Sequence, residues 1–240
     1  IWNEDRTLAL VFNGEIYNHA RLRAQLQSRG HTFTSQSDTE TIVHLYEEFG
    51  IDALHHLRGM FTFALYDLKR RQLTVARDRV GIKPLYYWQD ANLFAFASET
   101  KALLECPVIS REIRPEAIDD YLTHRYSPGP DSFIQGIKKL PPGHFLTIDR
   151  SGMEIAPYWK PDFNVQLGDP QELQTQFNDL FEETISLHLE SDVPVGAFLS
   201  GGLDSTAVVS AMARQTSSPV KTFSIGFDWD QDETGQARKT

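Results

Sequence analysis

Cysteine is almost absent from this 240-residue chain, and the single Cys106 excludes an internal disulfide, so cohesion must come from burial and a reducing cytoplasm suits the protein. No apolar run reaches the 18 residues a membrane-crossing helix needs. Basic residues are the minority charge, 23 against 33 acidic, and the formal net charge of -10 repels phosphate backbones and anionic lipid surfaces. No local basic patch reverses that sign, so nucleic acid and membrane are not expected partners. Internal repeats and low-complexity tracts are lacking too. The first residue is Ile1 rather than Met, no charged-then-apolar leader follows it, and Thr240 ends a polar stretch without a closing element. The chain therefore reads as a fragment lacking both ends.

What is present is globular in composition: 40% apolar and 23% charged residues, with 15 Gly and 12 Pro. A mass of 27.3 kDa favours two domains over one. From residue 7 to about 159, short strands alternate with modest helices. Residues 8–12 form a strand candidate that stops at Asn13-Gly14, and helices suit 20–29, 39–49 and 51–58, the first two followed by Gly30 and Gly50. Hairpins are expected at 61–75, 85–96 and 144–159. Residues 161–170 hold two prolines and a glycine and read as a linker between a domain at 1–160 and a second one at 171–240. The second begins with a helix over 171–189, then strand 193–199, a glycine turn, helix 203–214 and strand 220–227. That order is the βαβ unit of a parallel sheet, and two strands are too few for a covered sheet, so the domain is expected to continue.

The glycine turn, Ser200-Gly201-Gly202-Leu203-Asp204-Ser205, sits where free N–H groups and the positive end of a helix converge. Two glycines admit close approach of a phosphate, the serines can donate to it, and Asp204 could hold a Mg2+ ion bridging phosphates. A Walker loop is excluded, since the spacing and the lysine are missing. A plain strand-to-helix turn capped by Asp204 or Ser205 explains the same residues. Spacing alone leaves both readings standing.

This hexapeptide matches the pyrophosphate-binding loop of ATP pyrophosphatases residue for residue, and Thr222-Phe223-Ser224-Ile225-Gly226-Phe227 resembles their next strand. The lead-in Ser191-Asp192-Val193-Pro194-Val195-Gly196-Ala197-Phe198-Leu199, with Asp232-Glu233 and Ala237-Arg238 later, is similar to asparagine synthetases. That resemblance implies ATP cleaved to AMP and pyrophosphate, a substrate carboxylate carried as an acyl-adenylate, and Leu199 and Ile225 flanking the adenosine.

Glutamine-using asparagine synthetases carry an upstream glutaminase domain, and residues 1–160 resemble one along nearly their whole length. The resemblance rests on Phe12-Asn13-Gly14-Glu15-Ile16-Tyr17-Asn18, Ser37-Asp38-Thr39-Glu40, residues 76–87, 98–104, 126–130 and 136–144. It implies an α+β N-terminal-nucleophile sandwich followed by the first βαβ of an adenine-nucleotide-binding α/β domain. It also implies an oxyanion hole at Asn13 and Gly14, with Asp38 holding the α-ammonium of glutamine and Glu15 orienting the same substrate. The chemistry suits such donors, because amide hydrolysis passes through a tetrahedral oxyanion. Without the family, Asn13-Gly14 reads as a turn and Ser37 with Glu40 as a capping box, with Asp38 favoured near the helix start by the dipole.

One departure stands out. The family's nucleophile is a cysteine at the mature amino terminus with its own α-amine as base, and neither it nor the arginine for the substrate carboxylate has a counterpart here. Cys106 is expected to be structural and the chain as it stands inactive. Arg77, Arg79 and Lys83 receive no role, since loop charges are commonly just solvated. The histidines include the pair His55-His56, but no His and carboxylate spacing suggests zinc. The resulting expectation is glutamine-dependent amidation of aspartate to asparagine, with glutamine, aspartate and ATP as substrates, Mg2+ as metal and, by family analogy, a homodimer. Rivals are a β-lactam-synthetase-like or peptide-modifying enzyme acting on another carboxylate, and a non-catalytic glutamine- or nucleotide-binding relative.

Overall fold

The computed structural model describes residues 1–164, 168–191, 193–226 and 234–239. Asp192, Phe227, Asp232 and Glu233, and residues 165–167 of the expected linker, lie outside the described residues. The chain divides into two compact units, Ile1–Asp162 and Phe163–Thr240, each with a core of its own.

The first unit is the α+β sandwich that the resemblance implies. Strands β1 (Leu8–Ile16), β2 (Gly59–Asp67), β3 (Gln72–Arg77), β7 (His144–Asp149) and β8 (Gly152–Pro157) make one antiparallel sheet in the order β1-β2-β3-β7-β8. A second sheet has the order β5-β4-β6, from β4 (Tyr86–Gln89), β5 (Phe94–Ala97) and β6 (Lys138–Lys139). Strand alternation sends side chains of the first sheet two ways. Leu8, Leu10 and Ile16 of β1 and Phe61, Phe63 and Leu65 of β2 pack with Leu22 and Leu26 of α1 (His19–Ser28) and Ile42, Val43 and Leu45 of α2 (Asp38–Phe49). Ala64 of β2, Val75 of β3 and Leu146 of β7 instead meet Leu85, Tyr87 and Leu140 on the side of the second sheet. Because both faces are covered, β2 reads as a nearly unbroken buried strand.

Three short helices complete this unit. After a 3-10 turn, α3 (Ala53–His56) occupies only part of the expected 51–58 helix. α4 (Thr100–Leu103) carries Leu103 into a small core with Ile109 and Ile137, where Cys106 packs as the expected structural thiol. Helix α5 (Pro115–His124) starts with proline at its first turn, where the missing N–H costs nothing.

Two local expectations fail. The strand does not stop at Asn13-Gly14: β1 runs on to Ile16, pairing Asn13 with Thr62 and Gly14 with Phe61, because long-range pairing outweighs the dipeptide's turn preference. Nor do Ser37 and Glu40 form a reciprocal capping box. Ser37 Oγ accepts from Thr39 N at 3.2 Å, but the Glu40 carboxylate accepts from Thr34 and Ser35, ordering the preceding loop instead of the cap.

The second unit opens with α6 (Pro170–Leu189), capped by Asp169, whose carboxylate accepts from Gln171 N and Glu172 N. Strand β9 (Gly196–Phe198), helix α7 (Leu203–Gln215) and strand β10 (Lys221–Phe223) follow, with β9 and β10 parallel, and α8 (Thr234–Ala237) comes last. This is the expected βαβ, with strands shorter than the apolar runs that announced them. Ile185 of α6 packs with Ala211 and Met212 of α7.

Glu40 gives the first unit a pH-dependent component. Burial raises its carboxyl, but donors from Ser35 and Thr34 at 2.6 to 2.9 Å outweigh that and hold it down to about 2, below its ordinary 4.5. A lowered folded value means that the stabilisation is complete above pH 4.5 and is lost as pH falls towards 2. At about 1.4 kcal/mol per pKa unit this is on the order of 3 kcal/mol. Chemical unfolding of Glu40→Gln at pH 7 is expected to show a loss of that order and a flatter stability profile between pH 5 and 2. An unchanged profile would contradict the hydrogen-bond origin.

Candidate active site

The end of β1 is built by two glycines on facing strands. A Cβ on Gly14 would lie 2.2 Å from the Met60 carbonyl oxygen, and one on Gly59 would lie 2.2 Å from the Glu15 carbonyl oxygen. Only hydrogen fits at either place. The alternation of β1 then puts Asn13 and Glu15 on the face opposite Leu10 and Ile16, away from the helices. Asn13 is exposed and spends one of its two amide N–H groups on Ser98 Oγ at 3.0 Å. Beside it is a recess of about 200 Å3 lined by Phe12, Asn13, Thr62, Phe63, Phe96 and Ser98, among others.

Asp38 meets the same strand end from α2. Its Oδ2 accepts from Ile16 N at 2.8 Å, the amide that follows Glu15, while Oδ1 takes the hydroxyls of Ser37 and Thr39 at 3.4 and 3.3 Å. The favourable position at the first turn of α2 is therefore joined to a tertiary contact. Asn13, Gly14, Glu15 and Asp38 come together as one segment of strand and the helix start that braces it.

A second carboxylate braces β2. Asp78, fully buried, accepts from Phe61 N at 3.2 Å and from Ile82 N and Lys83 N, both at 2.9 Å. Phe61 is the register partner of Gly14. Burial, with the negative charges of Glu15 and Asp78 nearby, pushes the Tyr17 phenol up from its usual value. Next to Asp78, Arg77 corrects the expectation of a merely solvated charge. Its guanidinium donates to the carbonyls of Lys83, Leu140 and Gly81 at 2.8, 2.7 and 2.8 Å, and burial pushes it below its ordinary value. Arg79 Nη2 reaches His55 O at 3.3 Å. Arg77 and Arg79 leave no signal in the sequence because their partners are backbone carbonyls, and Ser98, within the segment 98–104, carries no sequence sign of its contact with Asn13.

In the second unit the glycine turn has a definite shape. Gly201 takes φ +80°, and a Cβ there would lie 2.7 Å from Ala237 N. Ser205 Oγ donates to Gly202 O at 3.2 Å, accepts from Ser200 N at 3.3 Å and lies 3.1 Å from Ser200 Oγ, while Ser200 Oγ accepts from Gly202 N at 3.3 Å. The expected cap by Asp204 or Ser205 is not found: Gly202 is the cap residue and no side chain caps α7. Asp204 is exposed in that first turn; Leu203 is exposed as well. Leu199 is buried, its carbonyl accepting from Ser224 Oγ at 2.6 Å, and Ile225 is 71% exposed, so only one of the two expected flanking residues is enclosed.

Arg77 offers a direct test of the support. Arg77→Lys keeps the charge but cannot span three carbonyls, and is expected to cost about 2–3 kcal/mol in chemical unfolding, given about 1.5–3 kcal/mol for a hydrogen bond to a charged group. Lys101→Met, at a side chain 81% exposed, is the control expected to change stability little. Equal small effects would contradict the bracing role.

Two family models match successive parts of the chain. A glutamine amidotransferase domain model matches residues 1–159, and an asparagine synthase model matches residues 176–240. Asparagine synthetase [glutamine-hydrolyzing] 3 of Bacillus subtilis is 37% identical over 96% of this chain and 38% of its own length. The putative asparagine synthetase [glutamine-hydrolyzing] 2 of Methanocaldococcus jannaschii is 38% identical over 95% of this chain and 44% of its own length. The chain thus spans well under half the length of these relatives. Among solved structures, the glutamine phosphoribosylpyrophosphate amidotransferase of B. subtilis complexed with ADP and GMP is a loose likeness, at a TM-score of 0.47 and 18% identity over 95% of this chain and 48% of that one. With two thirds of its length matched by one family model, the chain belongs to the glutamine amidotransferase domain family, and residues 176–240 of its second unit match the asparagine synthase model.

Proposed function

We propose that this protein makes asparagine from aspartate, using ammonia released from glutamine in the first unit and ATP bound at the glycine turn of the second. The observation that carries the reading is the strand end at Asn13-Gly14-Glu15, braced by Asp38 and opening on a recess. In this reading the second amide N–H of Asn13 and the backbone N–H of Gly14 donate to the oxyanion of the hydrolysed amide. Asp38 offers the α-ammonium of glutamine a charge-assisted partner, with Glu15 beside it. Cys106, packed in its apolar cluster, takes no part.

At the glycine turn, the uncapped amides of α7 and the side-chain-free backbone of Gly201 and Gly202 suit a triphosphate, with Ser200 and Ser205 as hydroxyl donors. Leu199 and Ile225 are proposed beside the adenosine and Asp204 as ligand to Mg2+, whose chemistry is to neutralise phosphate charge. The aspartate carboxylate would attack the α-phosphorus of ATP, expelling pyrophosphate and forming an aspartyl-adenylate, which ammonia would attack at the acyl carbon, releasing AMP. The net charge of -10 disfavours nucleic acid and anionic lipid surfaces as partners, and among the described residues no helix is long and apolar enough to cross a membrane.

The two sites predict separable defects in the full-length gene product. Asp38→Asn keeps the contact to Ile16 N but removes the charge, and should lower kcat/KM for glutamine by about 10- to 100-fold, the equivalent of about 1.5–3 kcal/mol, while ammonia-dependent synthesis persists. Asp204→Asn should abolish exchange of labelled pyrophosphate into ATP while glutamate release from glutamine continues. Exchange supported best by aspartate among a panel of carboxylates checks the acceptor. Equal loss of both activities in either variant, or exchange driven by another carboxylate, would contradict the proposal.

A further inference from the structure

Away from the recess, three side chains converge on one point. His44 and Glu47 lie one turn apart on α2, and His31 follows Gly30 at the end of α1, its backbone N bonded to Leu26 O at 3.1 Å. One ligand atom from each of the three lies within 4.8 Å of the others. Glu47 Oε2 is 2.8 Å from His44 Nδ1 and 3.4 Å from His31 Nδ1. The spacing His44-x-x-Glu47 is visible in the chain; the return of His31 to the same face of α2 is not, since it depends on the fold.

The partners of the outer atoms are those that a metal-bound histidine and carboxylate would have. His31 Nε2 is 2.9 Å from Glu48 Oε1, and Asn3 Nδ2 donates to Glu47 Oε1 at 2.8 Å. A neutral His31 has one N–H, and the short contact with Glu48 claims it. Its Nδ1 lone pair then faces the Glu47 oxygen at 3.4 Å, two acceptors with no hydrogen between them. A divalent cation would resolve that conflict, as would a second proton on the ring, and a carboxylate fixing the far nitrogen of a histidine is the usual outer support of a metal-bound imidazole. Tetrahedral zinc with bonds of about 2.0–2.2 Å sets its ligand atoms about 3.4 Å apart. Binding would move the Nδ1 proton of His44 to Nε2. That nitrogen is buried without a hydrogen-bond partner and lies 3.9 Å from Glu40 Oε1, so the shift gives it an N–H facing a carboxylate. The rim is accessible, the side chains of His31 and Glu47 being 15% and 24% exposed, which leaves a fourth position for water.

We propose that His31, His44 and Glu47 bind one zinc-like divalent cation that fastens the loop after α1 to α2. The role is structural and separate from the glutamine and ATP chemistry above. Titration of the metal-free protein with Zn2+ at pH 7.5, in competition with a chromophoric chelator, is expected to give one site per chain and a higher melting temperature. Co2+ should show the visible absorption of tetrahedral coordination. His31→Gln, at a partly exposed position that should fold, is expected to lose binding by 100-fold or more, and Glu48→Gln by about 10- to 100-fold, the usual effect of removing an outer partner. A His55→Gln/His56→Gln double variant, which removes the adjacent histidine pair, should bind as the wild type does. Absence of a stoichiometric site in the wild type between pH 6 and 8 overturns the proposal and makes the cluster a proton-sharing network. Undiminished binding by folded His31→Gln overturns it as well, as does loss of binding in the double variant.

Discussion

Two backbones meet without side chains between them where β1 and β2 end together, and the arrangement of the first unit follows from that approach. Gly14 and Gly59 each place hydrogen where a methyl group would lie 2.2 Å from the opposite carbonyl oxygen. The approach lets β1 continue through an Asn-Gly pair that would otherwise turn. It also sets the alternation by which Asn13 borders the recess, with Glu15 on the same strand face, while Ile16 enters the core. Had the strand turned at Asn13, Glu15 and Ile16 would have exchanged their surroundings, and Asp38 would have had no strand amide to receive.

Three carboxylates, two of them buried, share one physical solution. Asp38, Glu40 and Asp78 are satisfied largely by backbone N–H groups and hydroxyls, so each fixes a loop or strand end at the same time as it is stabilised. Asp78 holds Phe61 on β2 and the loop at Ile82 and Lys83; Asp38 holds Ile16 on β1. Arg77 mirrors the pattern with opposite charge, taking three carbonyls. Partners drawn from the backbone have little freedom to lose, which keeps the site's geometry from depending on long, mobile side chains.

Apolar periodicity was enough to place most elements of this chain. The stripe of α2, the alternation of β2 and the strand, turn, helix, strand order after residue 193 translate directly into the sandwich and the parallel βαβ. Where reading from sequence went astray, the deciding contact was distant: Thr62 and Phe61 rather than the local preference of Asn13-Gly14, Thr34 and Ser35 rather than the cap for Glu40, and Ala237 behind Gly201. The candidate site residues emerge from family motifs; chemistry alone leaves the glycine turn evenly divided between phosphate site and plain turn, and reads Asn13-Gly14 as a turn. Arg77, Asp78, Ser98 and the approach of His31 to His44 were invisible for one reason, since each depends on a loop's path and not on a repeat.

If the close approach of β1 and β2 is what prepares the strand end for glutamine, it must be possible to spoil the site there without unfolding the unit. Gly14→Ala, examined by glutamine-binding calorimetry beside amide hydrogen exchange, is the most direct test. The account predicts faster exchange at Ile16 and Phe61, retained protection at Leu45 of α2, and glutamine affinity reduced by about tenfold or more, about 1.4 kcal/mol. Wild-type affinity with unchanged exchange at Ile16 and Phe61 would contradict it.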